Sequence, residues 1–143
     1  MVKQVSVFVE NRPGKLASIT KILKDSQIHI RALSVADTMD FGILRMIVND
    51  PEKAYQVLKE NGCTASITKV LAVGFPDEPG SMGTVVRMLS DAGISIEYVY
   101  AFGLKGDTRA YGVFKLSDPD LAKQILQKEE IVLLKPEELY HHI

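Results

Sequence analysis

Apolar and polar residues alternate over residues 2–10, where Val5, Val7 and Val9 recur at the two-residue period of a strand. Asn11-Arg12-Pro13-Gly14 breaks the alternation. From 15 to 26 the period lengthens, and Leu16, Ile19, Ile22 and Leu23 form one helical stripe, read as core-facing. Two strands follow, about 28–37 and 42–48, joined by a short turn. Asp50 is placed to cap a second helix, with Pro51 at its first position, where a missing N–H costs nothing. Ala54, Val57 and Leu58 face inward on it, Gly62 ends it, and a last strand covers about 64–69. The order β-α-β-β-α-β predicts a ferredoxin-like arrangement, with two helices on one face of an antiparallel sheet.

The pattern then repeats. Pro13-Gly14 recurs as Pro79-Gly80, 66 residues on. At that offset Val5, Val7 and Val9 become Leu71, Val73 and Phe75, and Leu16, Ile19, Ile22 and Leu23 become Met82, Val85, Met88 and Leu89. Ile28 and Ile30 become Ile94 and Ile96. Asp50-Pro51 matches Asp118-Pro119 at an offset of 68, so two residues are inserted in the second copy, most naturally within Gly103–Thr108. The second copy ends in a short strand near 131–134 and a helical turn over 136–142. The expected fold class is α+β: two ferredoxin-like βαββαβ modules in tandem, 1–69 and 70–143, each an antiparallel sheet with helices on one face.

Helices cover only one face of such a sheet, yet several strands are apolar on both. Leu33 and Val35 oppose Ile30 and Ala32, Leu44 and Met46 oppose Ile43 and Ile47, and Phe8 points away from Val7 and Val9. Edge-to-edge pairing of the two copies and a homodimer that buries the open face would cover it; loops and the C-terminal turn are the alternative.

Composition narrows the function. Hydrophobic residues make up 46% and charged ones 24%, as in a packed globular chain. The net charge of −1 gives no general attraction to nucleic acid or to an anionic membrane. The interspersed charges, such as Glu52, Lys53, Lys59 and Glu60, read as solvated helix faces. Cys63 is the only cysteine, so no intrachain disulfide or thiolate metal cluster forms. No secretory leader or membrane-spanning stretch is visible, and the expected location is cytoplasmic. Three histidines and no tryptophan leave little material for catalysis; no catalytic residue, metal site or cofactor is expected.

The chemistry sits in two loops, Asn11-Arg12-Pro13-Gly14-Lys15-Leu16 and Asp77-Glu78-Pro79-Gly80-Ser81-Met82. Each joins a first strand to a first helix. Glycine lets backbone approach a ligand, and first-turn amides lack intrahelical partners, so they suit a carboxylate. Asn11 or Asp77 beside them can hydrogen-bond an ammonium. Carboxylate and ammonium together describe an α-amino acid; a tight turn is the alternative.

The segment Glu10–Leu16, an apolar helix, and then Ile28-His29-Ile30 resemble the ACT domain family, as do Asp77–Met82 followed by Gly93-Ile94-Ser95-Ile96. The likeness covers nearly the whole chain, which with no catalytic domain attached resembles the stand-alone tandem ACT proteins. The resemblance implies the βαββαβ fold, amino-acid binding and regulation of an enzyme, here one met in trans. It also implies that Asn11 and Asp77 contact ligand, that Gly14 and Gly80 are the family glycines, and that Leu16 and Met82 close the site. An Asn is common between the apolar residues opening the second strand; His29 and Ser95 stand there instead. Serine-binding domains place a His two residues before the loop Asn, where this chain has Val9. These departures speak against serine and leave the ligand open.

Other residues admit two readings. His29 is either a partly exposed polar residue or a pocket group hydrogen-bonded to a carboxylate; as a metal ligand it lacks companions, since His141 and His142 lie at the far end. Arg12, Arg31 and Arg45 can neutralise an acid or form exposed ion pairs. Tyr98, Tyr100 and Phe102 alternate on one strand, as core or as an aromatic wall. The expected function is a non-enzymatic amino-acid sensor acting on a partner in amino-acid metabolism. The alternatives are an assembly module without ligand and an acylphosphatase-like hydrolase using Arg12 and Asn11. RNA binding lacks a basic surround, and metal carriage lacks a Cys-x-x-Cys pair.

Overall fold

The computed structural model describes residues 1–37, 40–128 and 130–140. Its elements run β1 (Val2–Glu10), α1 (Lys15–Asp25), β2 (Ile30–Asp37), β3 (Phe41–Val48), α2 (Pro51–Glu60) and β4 (Ala65–Pro76). They continue as α3 (Ser81–Asp91), β5 (Ile96–Gly103), β6 (Arg109–Leu116), α4 (Pro119–Ile125), β7 (Val132–Leu133) and α5 (Pro136–Tyr140). The fold is α+β, in βαββαβ-like modules. The strand expected over about 64–69 starts at Ala65 and runs on without a break into the one expected from Val70, the two forming β4. The turn expected between β2 and β3 includes Thr38 and Met39, and the expected C-terminal turn includes His141 and His142; these four lie outside the described residues.

The chain divides into two compact units, Lys3–Thr68 and Lys69–Ile143 together with Met1–Val2. In the first, β3 lies antiparallel between β1 and β2, with Val5 opposite Met46 and Val7 opposite Leu44. The amide of Phe8 donates to the carbonyl of Thr64 at 3.0 Å, which ties the chain after α2 to β1. Val5, Val7, Leu44 and Met46 pack on Ile19 and Leu23 of α1 and on Ala54 and Leu58 of α2. Burying each of these larger side chains stabilises the unit by about 1.5–3 kcal/mol. The carboxylate of Asp50 accepts from the amide of Lys53 at 3.2 Å and starts α2, with Pro51 in its first turn.

The second unit repeats the plan. β4 pairs antiparallel with β6, β6 with β5, and the short β7 with β4. Leu71, Val73, Phe75, Phe114 and Leu116 meet Val85 and Leu89 of α3 and Ala122 and Leu126 of α4. Asp118 caps α4 through the amide of Leu121 at 3.1 Å. The inserted residues lie in the β5–β6 hairpin, where Asp107 donates its amide to the carbonyl of Leu104 and Gly106 takes a φ of +79°.

Finer details recur as well. Each second strand carries an irregularity at its start, between Ile30 and Ala32 and again between Ile96 and Tyr98. The aromatic stripe pairs Tyr100 with Val113 and Phe102 with Tyr111, which puts it on the sheet face away from α3 and α4. Phe102 stacks on Tyr111 with ring centroids 5.4 Å apart. Apolar side chains also reach solvent: Phe8 is 57% exposed, and Leu33, Val35 and Phe41 are about half exposed.

Candidate functional site

The two Pro-Gly loops have nearly the same geometry. Gly14 precedes α1 at φ +89°, ψ −15°, and Gly80 precedes α3 at φ +89°, ψ −12°. This is the left-handed region, which a residue with a Cβ enters only with strain. A Cβ built on either glycine meets nothing within 4 Å, so the glycines are required by conformation rather than by crowding. The amide of Lys15 donates to the carbonyl of Arg12 and that of Ser81 to the carbonyl of Glu78. No side chain caps either helix. Among the described residues none accepts from the next two amides, those of Leu16 and Ala17 or of Met82 and Gly83. These outward N–H groups carry the positive end of the helix dipole and suit an anion.

The loops differ in charge. Arg12 forms an ion pair with Glu10 at 2.5 Å, and both line a groove of about 410 Å³ with Asn11, Asp40 and Phe41. The amide of Asn11 donates to the carbonyl of Asp40, which sets that groove's rim. In the second loop Pro76 and Glu78 occupy the corresponding places, so this ion pair has no counterpart. Pro13, Asp77, Pro79 and Glu78 are exposed. Leu16 is 39% exposed, whereas Met82 packs against the second core.

Beside each loop lies a cavity that the sequence reading missed. In the first unit it measures about 280 Å³ and runs from the end of β1 along Lys15, Ser18, Ile19 and Ile22 to the chain after α2. In the second it measures about 470 Å³ and runs from the end of β4 along Ser81, Thr84, Val85 and Met88 to the chain after α4. The helix residues correspond one for one at the 66-residue offset. Gly62 and Cys63 of the first wall correspond to Glu130 and Ile131 of the second at the 68-residue offset. Carrying both offsets past the loops would have found these walls; a Pro-Gly motif alone draws attention only to the rim.

His29 and Ser95 stand apart from all three of these cavities. Each is exposed and is held mainly by backbone contacts. The amide of His29 donates to Asn49 Oδ1 at 2.9 Å, and that of Ser95 donates to Ser117 Oγ at 2.9 Å. His29 Nδ1 is 3.5 Å from the Arg31 guanidinium. Cys63 lines the first cavity, and burial pushes its thiol pKa up. Among the described residues no cluster of three or more His, Cys, Asp or Glu is arranged to hold a metal ion, and no helix is long and apolar enough to cross a membrane.

A family model described as an ACT domain pair matches residues 1–143. Among solved structures, protein BT0572 from Bacteroides thetaiotaomicron is similar at 38% identity, over 98% of this chain and 96% of that one, with a TM-score of 0.90. The ligand-free regulatory subunit of aspartate kinase from Thermus thermophilus is similar at 14% identity over 87% of each chain, with a TM-score of 0.65. Aspartate kinase from Synechocystis is similar at 15% identity, over 93% of this chain and 27% of that one, with a TM-score of 0.57. At 14% and 15% the likeness is one of fold. No curated protein matches the chain.

Proposed function

The chain belongs to the ACT domain family, as an ACT domain pair, and from that premise we propose that it is a non-enzymatic sensor of a small amino acid. The observation that carries this reading is the repeated junction at Gly14 and Gly80. Two uncapped helix starts, each with amides that have no acceptor among the described residues, stand beside a cavity walled by the same helix. Such amides bind a carboxylate, and Asn11 or Asp77 supplies an acceptor for an ammonium. The site residues proposed are the two loops, with His29 and Ser95 as flanking groups at the second strands.

A sensor shifts an equilibrium only through affinity that differs between two states. The proposed states are two arrangements of a homodimer, read by a client enzyme of amino-acid metabolism in trans. The half-exposed Phe8, Leu33, Val35 and Phe41 support self-association. The same residues also fit a module that only assembles. A hydrolase role for Arg12 is weakened by its pairing with Glu10. Calorimetric titration against the twenty amino acids tests the proposal. Heat with at least one, lost in Gly14→Val or Gly80→Val chains that keep their oligomeric state, is expected; no heat with any overturns it and leaves the assembly module.

A further inference from the structure

The helix walls of the two cavities correspond residue for residue, yet the cavities offer a ligand different chemistry. In the first unit the wall sets Lys15, Ser18, Asn61 and Thr64 among Val9, Ile19 and Ile22, and the cavity is about 280 Å³. In the second, Phe75, Val85, Met88 and Ile131 make an apolar floor, and the cavity is about 470 Å³. Small-molecule sites run from about 300 to 1,000 Å³, are mostly apolar, and carry a few polar groups that fix orientation. The second cavity meets that description and the first lies at its lower edge.

The polar residues lining the second cavity are Glu78 of the loop, Ser81 and Thr84 of α3, and Lys128 and Glu130 of the chain after α4; Lys128, Glu78 and Glu130 are the charged ones. None of the three forms an ion pair with a described residue. Lys128 is placed by a tight turn, its amide donating to the carbonyl of Leu126 at 2.8 Å and its carbonyl accepting from Ile131 at 3.1 Å. The same turn therefore sets a cation and an apolar side chain on one wall. Lys128 stands where the first copy has Glu60, at the 68-residue offset, and Glu78 where it has Arg12, at the 66-residue offset; the charged residues of the first wall are instead Glu10 and Lys15.

We infer that the second cavity binds an α-amino acid with an aliphatic or thioether side chain, and that the two modules do not read the same molecule. The carboxylate meets the first-turn amides of α3 with Lys128 as its counter-charge, the ammonium meets Asp77 with Glu78 or Glu130 beside it, and the side chain lies on Met88 and Ile131. A polar side chain laid on Phe75, Val85, Met88 and Ile131 would lose its water without gaining a partner from them. The inference rests on the amino-acid-sensing reading and narrows it.

Titration of the full chain with L-leucine, L-methionine, L-serine and L-aspartate tests it. Leucine and methionine are expected to bind more tightly than serine and aspartate, and Lys128→Glu should weaken leucine binding roughly tenfold through loss of a charged hydrogen bond. Lys128 is exposed, so this variant folds as the parent does. Met88→Gln, which keeps the volume, should weaken leucine binding as well, while Lys24→Gln at an exposed position of α1 leaves it unchanged; melting curves check that each is folded. Serine or aspartate binding as tightly as leucine overturns the inference but keeps the sensor. Leucine binding untouched by Lys128→Glu and Met88→Gln also overturns it. No binding by any of the twenty amino acids removes both.

Discussion

His29 and Asn49 hold each other by two hydrogen bonds: the His29 amide donates to Asn49 Oδ1 at 2.9 Å, and the Asn49 amide donates to the His29 carbonyl at 3.1 Å. Ser95 and Ser117 repeat the pair with a hydroxyl in place of the amide oxygen. In each unit the clasp fixes the start of the second strand against the end of the third. Asn49→Ala removes one acceptor and is expected to cost about 1 kcal/mol. Urea denaturation measures it, and an unchanged midpoint would show that water replaces the bond freely.

Gln27 has a φ of +58° and is the only non-glycine residue with positive φ among those described. It follows α1, where the Ile28 amide reaches back to the carbonyl of Leu23 at 2.9 Å. Gly93 holds the same place after α3, with Ile94 reaching Leu89 at 2.9 Å. The second copy therefore meets this left-handed helix end with glycine and the first with a strained side chain. Gln27→Gly is expected to stabilise the first unit by roughly 1 kcal/mol, read as a higher melting temperature; a lower one would mean that glycine's freedom in the unfolded chain outweighs the relieved strain.

Much of this was legible in the sequence, and for a definite reason. Periodicity marks which face of an element is buried, so Val5, Val7 and Val9 and their counterparts identified both cores. Asp50-Pro51 and Gly62 identified helix ends through chemistry that works within a few residues. The cavities depend instead on where the chain after α2 or α4 passes α1 or α3, a tertiary contact that leaves no local pattern. Lys128 and Ile131 look like ordinary loop residues until that turn is seen. The stripe Tyr98, Tyr100 and Phe102 was legible as a stripe, but period two cannot tell one sheet face from the other.

Gly74 lies under the ring of Tyr111. A Cβ there would stand 2.6 Å from Tyr111 Cε1 and 3.0 Å from Cδ1. The ring cannot simply swing away, because it is buried, stacks on Phe102 and hydrogen-bonds Asp107. Gly74→Ala is expected to destabilise the second unit by about 1–3 kcal/mol, the usual cost of overpacking. A chemical melt measures the loss, and Gly83→Ala, with open space around it, serves as the tolerated control.

Burial, reinforced by the hydrogen bond to Asp107, pushes the Tyr111 phenol pKa up from 10 to about 12, with Arg109 acting in the opposite sense. The folded state thus favours the neutral phenol more than the unfolded state does. Its contribution to stability is complete below pH 10 and is lost as pH rises from 10 towards 12. Tyr111→Phe is expected to flatten the fall in stability across that window. An equally steep fall in the variant would assign the alkaline loss to other groups.

Cys63 gives a direct report on the first cavity. It is half-buried in that wall, and the same burial raises its thiol pKa, so little of it is thiolate near neutrality. Alkylation by iodoacetamide should be slower than for a small free thiol at pH 7.5 and should accelerate as pH rises past the ordinary thiol value of 9.0. An amino acid bound in the first cavity would cover the sulfur and slow the reaction further, whereas one bound only in the second would leave the rate unchanged. Mass-spectrometric labelling time courses with and without L-leucine and L-serine separate these outcomes, and protection by leucine at Cys63 would argue against assigning leucine to the second unit alone.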